Sequence, residues 1–382
     1  MLERVVPLMD HPSDAFLRSL DEALCALFID GGMKIIASSL ACTSAIYNKW
    51  KKRRPAVIDR FLNYLRYLNE AKDEFQRDPG QVIPHGKGPF IQRALYSVGL
   101  ISRYFDVDEM LGDDESARLC LSAYCCPLRA GKESGISLDE QESEEFEGHV
   151  RRPQPFTDDI YAILTTFCRN RDGNIRTKAL NALGNFTAAH PEFLTRLETR
   201  NMYLTLLAYD DKEYLNLKVQ ALLNLELFLA AEEMKLVKGN NEWHKAKDGH
   251  DLKEMELSCS GMGSSIIQIY WNAILNAYYN PIDAVRTAAV QVTLLTLNQG
   301  LVTPGSSIPT LIAMTTDCLP NVRNKVENVL RDIDSKYAGM VHSKAVAGIR
   351  CSFRLQCRIR KEQKTVVRGI RVCEQSVTNG RR

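Results

Sequence analysis

The chain lacks the short signatures of covalent chemistry. No Gly-rich phosphate loop follows a strand pattern, and neither G-x-S-x-G nor H-E-x-x-H occurs. The Gly-rich stretch SGMGSS at 260–265 has no lysine and is expected to lead into and cap a helix at 265–279, through Ser264 or Ser265. His244, His250 and Cys259 are too loosely spaced for zinc, which needs tight ligand pairs. The eleven cysteines form no regular framework and only Cys125 and Cys126 are adjacent, so reduced thiols are expected. No apolar run approaches the roughly 20 residues that cross a bilayer. The opening MLERVVPLMDHPSD carries no basic-then-apolar signal, which favours an intracellular, soluble chain. β-strand alternation is nearly absent. These absences predict no cofactor, no metal and no enzyme activity.

Charge is also scarce as a net quantity. The formal balance is +2 over 382 residues, so affinity for nucleic acid must rest on how charge is distributed. The run Lys49, Lys51, Lys52, Arg53 and Arg54 has the composition of a nuclear-import patch, although short basic runs are more often a solvated helix end.

What the chain does have is helical periodicity. Apolar stripes predict helices over 13–30, 33–49, 55–72 and 90–104, with a shorter one near 114–125. An acidic, proline-bounded stretch over 127–155, with Glu142, Glu144, Glu145 and Glu147, reads as a linker or insertion. Helices over 157–169 and 191–208 follow, and a second polar insertion is expected around 231–262.

From Ile175 a grammar repeats. A turn rich in Asp, Asn or Pro precedes an aliphatic residue, a base beside it, and a small residue four positions on. Ile175, Arg176 and Ala179 form the first copy; Leu217, Lys218 and Ala221 the second; Val285, Arg286 and Ala289 the third; Val322, Arg323 and Val326 the fourth. Ile175 and Leu217 lie 42 positions apart, Leu217 and Val285 68, and Val285 and Val322 37. Two spacings near 40 and one expanded by an insertion fit HEAT or armadillo periodicity. The predicted fold is an all-α, HEAT/armadillo-type α-solenoid with polar insertions. Its segments are 1–126, the linker 127–155, repeats over 156–350, and a basic tail over 351–382.

The bases Arg176, Lys178, Lys218, Arg286, Arg323 and Lys325 are the candidate binding residues. Two readings stand side by side. The base pairs with the acid of a neighbouring repeat in an interhelical ladder, or it contacts phosphate along an open face. A generic HEAT adaptor, in nuclear transport or phosphatase assembly, fits the repeats as well as a DNA-associated scaffold does.

Longer segments narrow this. LNQGL (297–301), PTLIAMTTD (309–317), RNK (323–325) and KYAGMVHSKAVAG (336–348) closely resemble the Nipped-B-like cohesin loader family. DLKEME (251–256), SGMGSSIIQIY (260–270) and KGPFIQRALYSVGLISRYFD (87–106) resemble it too. The resemblance implies a HEAT solenoid without an active site. It implies a nuclear, chromatin-associated role, with cohesin subunits and DNA as partners and cohesin's own ATPase stimulated. The chain looks like a partial one: the extension that carries the family's companion subunit has no counterpart, so no companion contact is expected. The match is expected to fade after about Ile349. The tail, with ten Arg or Lys between Arg350 and Arg382 against two Glu, is expected to be disordered or non-native. The helix ending near Ile349 is expected to expose an apolar face.

Overall fold

A computed structural model describes residues 12–30, 32–50, 56–77, 87–112, 156–243 and 251–362. These residues are helical, with short 3-10 turns and no strand among them. The acidic stretch 127–155, the helix expected near 114–125, residues Lys51 to Arg54 of the basic run, and the tail beyond Glu362 lie outside the described residues. The chain divides into two compact units, Met1–Ala189 and His190–Arg382.

The first unit contains α1 (Asp14–Asp30), α2 (Met33–Lys49), α3 (Ala56–Arg77), α4 (Gly88–Tyr104), α5 (Val107–Gly112), α6 (Phe156–Phe167) and α7 (Gly173–Ala189). Ser13 caps α1, its Oγ accepting the Phe16 N–H at 3.3 Å. Asp21 of α1 receives the Ala56 N–H at 2.7 Å, so one helix caps the start of another. The Ser44 hydroxyl donates to the Tyr104 carbonyl at 2.7 Å and ties α2 to the end of α4. The closest helix pairing is α4 on α7. A Cβ at Gly99 would lie 2.5 Å from the Ala182 Cα, so these helices touch backbone to backbone. Leu95, Val98 and Ile101 of α4, and Ala179, Leu183 and Phe186 of α7, are fully buried.

This packing moves the expected boundary. The repeat grammar groups 156–189 with the repeats that follow, whereas α6 and α7 belong with the first unit. The Gly99–Ala182 approach decides the matter, and it joins residues 83 positions apart.

The second unit contains α8 (Leu197–Ala208), α9 (Leu215–Trp243), α10 (Asp251–Ala277), α11 (Asp283–Asn298), α12 (Ile308–Met314), α13 (Pro320–Lys336) and α14 (Met340–Glu362). Single-turn 3-10 segments precede α8, α9 and α12, so the expected continuous helix 191–208 is split at Thr195–Arg196. The expected insertion over 231–262 is mostly helix: α9 runs to Trp243 and α10 starts at Asp251. The segment AAEEMKLVK is polar but built of good helix formers, and Lys235 pairs with Glu232 at 2.9 Å on it. The Gly-rich stretch is likewise inside α10. Ser264 caps nothing; its hydroxyl donates to the Leu301 carbonyl at 2.8 Å.

The basic tail is corrected most plainly. Helix α14 passes through Arg350 without a break. Leu355 and Ile359 are buried, and a Cβ at Gly348 would lie 2.5 Å from the Ile312 side chain of α12. The buried face is sparse because it uses Gly348 and Ser352 as contact residues, and arginines stand between its apolar members. The opposite face carries Val346, Ile349 and Phe353, each about two-thirds exposed. An exposed apolar face is thus present, on a helix longer than expected.

Candidate functional site

The repeating turns share one construction. The Asn170 Oδ1 accepts the Asp172 N–H at 2.9 Å, the Asn280 Oδ1 accepts the Ile282 N–H at 3.0 Å, and the Asp317 Oδ1 accepts the Leu319 N–H at 3.0 Å. These are Asx turns, in which a short side chain replaces a backbone acceptor and sets the entry to the next helix. Six positions after each Asx residue stands an arginine: Arg176, Arg286 and Arg323.

The arginine folds back onto its own turn. Arg286 Nη1 donates to the carbonyls of Asn280 and Pro281, at 3.4 and 2.6 Å. Arg323 Nη1 donates to the equivalent carbonyls of Asp317 and Cys318, at 2.7 and 3.1 Å. The fork geometry of guanidinium suits such double donation.

Arg286 then reaches the next repeat. Its Nε donates to Asp317 Oδ2 at 2.8 Å and its Nη2 to Oδ1 at 3.3 Å, while Nη2 also meets Asp283 Oδ1 at 2.6 Å. Tyr278 donates its hydroxyl to Asp317 Oδ2 at 2.7 Å. On the other side, Asn280 Nδ2 donates to Asp210 Oδ1 at 3.2 Å, and Lys218 Nζ meets the same oxygen at 2.9 Å. The bonds run unbroken from Lys218 through Asp210, Asn280, Arg286 and Asp317 to Arg323. Three successive turns of the second unit are stapled together.

The electrostatics follow. Burial alone would push the Asp317 carboxyl up; the Arg286 guanidinium, the Leu319 N–H and the Tyr278 hydroxyl outweigh it and hold the group below the usual carboxylate value. Burial also pushes Asp210 up, and the bonds from Lys218 and Asn280 again prevail, leaving it lowered. Burial disfavours the Arg286 charge, but Asp317 more than restores it. Burial and the Asp317 charge drive Tyr278 far above an ordinary phenol, so its hydroxyl stays a donor.

This places the six candidate bases. Lys218 and Arg286, at 1% and 0% side-chain exposure, are buried rungs of the ladder and present nothing to an incoming phosphate. Arg323 is half-buried against its own turn. Lys325 is exposed, 3.4 Å from Gln291 Oε1 of α11. Positions two apart on a helix point to different sides, so Arg323 and Lys325 do not form one patch. In the first unit Arg176 and Lys178 are half-buried, and Lys178 Nζ lies 5.9 Å above the Tyr96 ring. Of the basic run, Lys49 is described, with Nζ 5.2 Å from the Trp50 ring.

Sequence reasoning named the bases and expected an acid of a neighbouring repeat opposite them, without saying which. Asp210 and Asp317, linked through the Asn280 amide, complete the ladder, and the recurring Asx-to-Arg interval of six was the signal for Asn280 and Asp317. A second cluster went unnoticed: Arg354 of α14 stacks 4.0 Å over the Tyr279 ring, and Arg358 donates to the Tyr279 carbonyl at 3.4 Å. Burial and the Cys351 thiol push Tyr279 up to about 12.

The fold and its stapled turns define an all-α protein of the HEAT-repeat kind. Residues 263–380 match the family model described as the sister chromatid cohesion C-terminus. The Nipped-B-like protein scc-2 of Caenorhabditis elegans is 39% identical over 376 residues, covering 98% of this chain. The Nipped-B-like protein of Homo sapiens is 34% identical over the same span. Among solved structures, the C-terminal fragment of the Chaetomium thermophilum cohesin loader SCC2 aligns with a TM-score of 0.70 at 15% identity, over 94% of this chain and 23% of that one. The chain belongs to the Nipped-B-like family. It spans 16% of the worm protein's length and 12% of the human protein's. The match to residue 380 overturns the expectation that the family pattern fades after Ile349.

Proposed function

We propose that the chain is a segment of a cohesin-loading factor, acting in the nucleus as a non-catalytic scaffold that binds cohesin and DNA during sister chromatid cohesion. The observation that carries this reading is the alignment of 98% of the chain with Nipped-B-like proteins at 34–39% identity. The geometry supports a scaffold. Its buried polar groups are spent on fixing one repeat against the next, which holds an exterior in register for partners.

The test is direct binding. The 382-residue chain is immobilised and offered purified cohesin and, separately, a labelled DNA duplex. Saturable capture of cohesin is the expected outcome. Failure to retain either cohesin or DNA would sink the proposal. Arg323 ends the ladder, half-buried on its own turn, whereas Lys325 is exposed on α13, and we assign Lys325 to DNA contact.

A further inference from the structure

Helix α14 carries two rows side by side on its outward face. Val346, Ile349 and Phe353 recur at intervals of three and four, so they form one apolar stripe, each about two-thirds exposed. Arg350, Arg354 and Arg358 recur at intervals of four along one flank of that stripe, and all three are exposed. Leu355 and Ile359, on the opposite side, are buried and hold the helix in this orientation.

The arginine row is preorganised. Arg354 lies 4.0 Å over the Tyr279 ring, and Arg358 donates to the Tyr279 carbonyl at 3.4 Å. None of the three is ion-paired with a carboxylate among the described residues, whose carboxylates pair with other bases. Glu362 is the sole acid of α14.

The two rows together select an occupant. A contiguous exposed apolar patch with a polar rim is the mark of a docking surface. Phosphate would use the arginines and leave the stripe in water, so a nucleic acid satisfies half of the face. A second copy of this chain fits no better. Two copies paired antiparallel would set arginine row against arginine row; paired parallel, they would set it against the neutral flank of Ala345 and Gln356. The residues that follow α14 carry Lys364, Arg368, Arg371, Arg381 and Arg382 against Glu374 alone, so like charge opposes them as well. An acidic amphipathic helix meets both rows. Its aliphatic side chains interleave with the stripe, and carboxylates on one flank take two donors from each guanidinium.

We propose that the outer face of α14 docks an amphipathic helix of a partner protein, with aliphatic residues along its centre and a row of Asp or Glu on one flank. From Val346 to Arg358 the two rows run about 18 Å, which a partner helix covers in about three turns. The proposal does not depend on the partner being cohesin.

The test uses the 382-residue chain and a fluorescent synthetic peptide about three heptads long, with Leu at the two core positions of each heptad and Glu at the flanking ones. A second peptide carries Lys in place of Glu. Anisotropy titration is expected to show saturable binding of the Glu peptide and binding of the Lys peptide weaker by about 10-fold or more. Phe353→Ala and Arg350→Glu, both at exposed positions, are each expected to weaken the Glu peptide by about 5-fold or more with the melting temperature unchanged. The proposal is overturned if the Glu peptide fails to saturate, if the Lys peptide binds equally well, or if both variants bind the Glu peptide as the parent does. Self-association of the chain that Phe353→Ala abolishes would make a second copy the occupant. Loss of duplex DNA affinity in Arg350→Glu, with Glu peptide binding intact, would make nucleic acid the occupant. Either result also overturns the proposal.

Discussion

Arg286 shows how a charged residue becomes structural. Its guanidinium is fully buried, yet each side of the fork has an acceptor: two carbonyls of its own turn and the Asp317 carboxylate of the next. Removing one partner of such a pair leaves an uncompensated charge. Arg286→Ala is therefore expected to cost roughly 3–5 kcal/mol, measured by urea unfolding. Arg323→Ala, which strips a half-buried base from two carbonyls, is expected to cost only about 1–3 kcal/mol in the same measurement. Equal losses would mean that the inter-repeat contact to Asp317 adds nothing.

The same contact gives a pH dependence. Asp317 and Asp210 have folded values below their unfolded ones, so the folded state binds fewer protons on acidification. Their stabilisation is fully present above the unfolded carboxylate value of about 3.9 and is lost as pH falls through the lower folded values. Urea midpoints should fall as pH drops below about 4, and Asp317→Asn should flatten that decline. A wild-type midpoint that holds through this range would contradict the direction assigned to both acids.

At the scale of elements, two glycines fix how helices meet. A methyl at Gly99 meets the Ala182 backbone at 2.5 and 2.6 Å, and a main chain cannot rotate away. A methyl at Gly348 meets the Ile312 Cδ1, Cβ and Cγ2 atoms at 2.5–2.7 Å; a rotamer moves the outer two, and a small helix shift is needed to clear Cβ. Both substitutions overpack, at about 1–3 kcal/mol, and Gly99→Ala should be the worse. Thermal unfolding of the two variants ranks them. Helix α14 is tested separately: Leu355→Ala should cost about 2–5 kcal/mol, and amides through Arg358 should be protected from hydrogen exchange. Free exchange beyond Arg350 would return the tail to disorder.

For the whole molecule, what matters is which bases remain available once the ladder has consumed its share. Lys218 and Arg286 are spent inside the second unit, and Lys325 is exposed on α13. DNA affinity, followed by anisotropy against salt, should lose about 0.9 from its log–log slope for each phosphate contact removed. Lys325→Glu is expected to reduce that slope with stability intact. If the slope holds while the melting temperature drops, Lys325 serves the fold.

The sequence by itself settled the helical class, the phase of the repeats, and the positions at which a base follows a turn. Those properties are written in short intervals: 3.6-residue periodicity and the interval from the turn to its base. It carried the family too, because segments such as KYAGMVHSKAVAG are long enough to be specific. It did not settle which bases are buried. Arg286 and Arg323 occupy the same place in the grammar, and only Arg286 finds the acid of a following turn. Nor did it settle that α14 continues or that α7 joins the first unit. Each depends on a close helix contact at a glycine, of Gly348 with the Ile312 side chain and of Gly99 with the Ala182 backbone, between residues far apart in the chain. A glycine at a helix contact looks, in sequence, like a weak helix position. Tertiary packing alone turns it into the point where two helices meet.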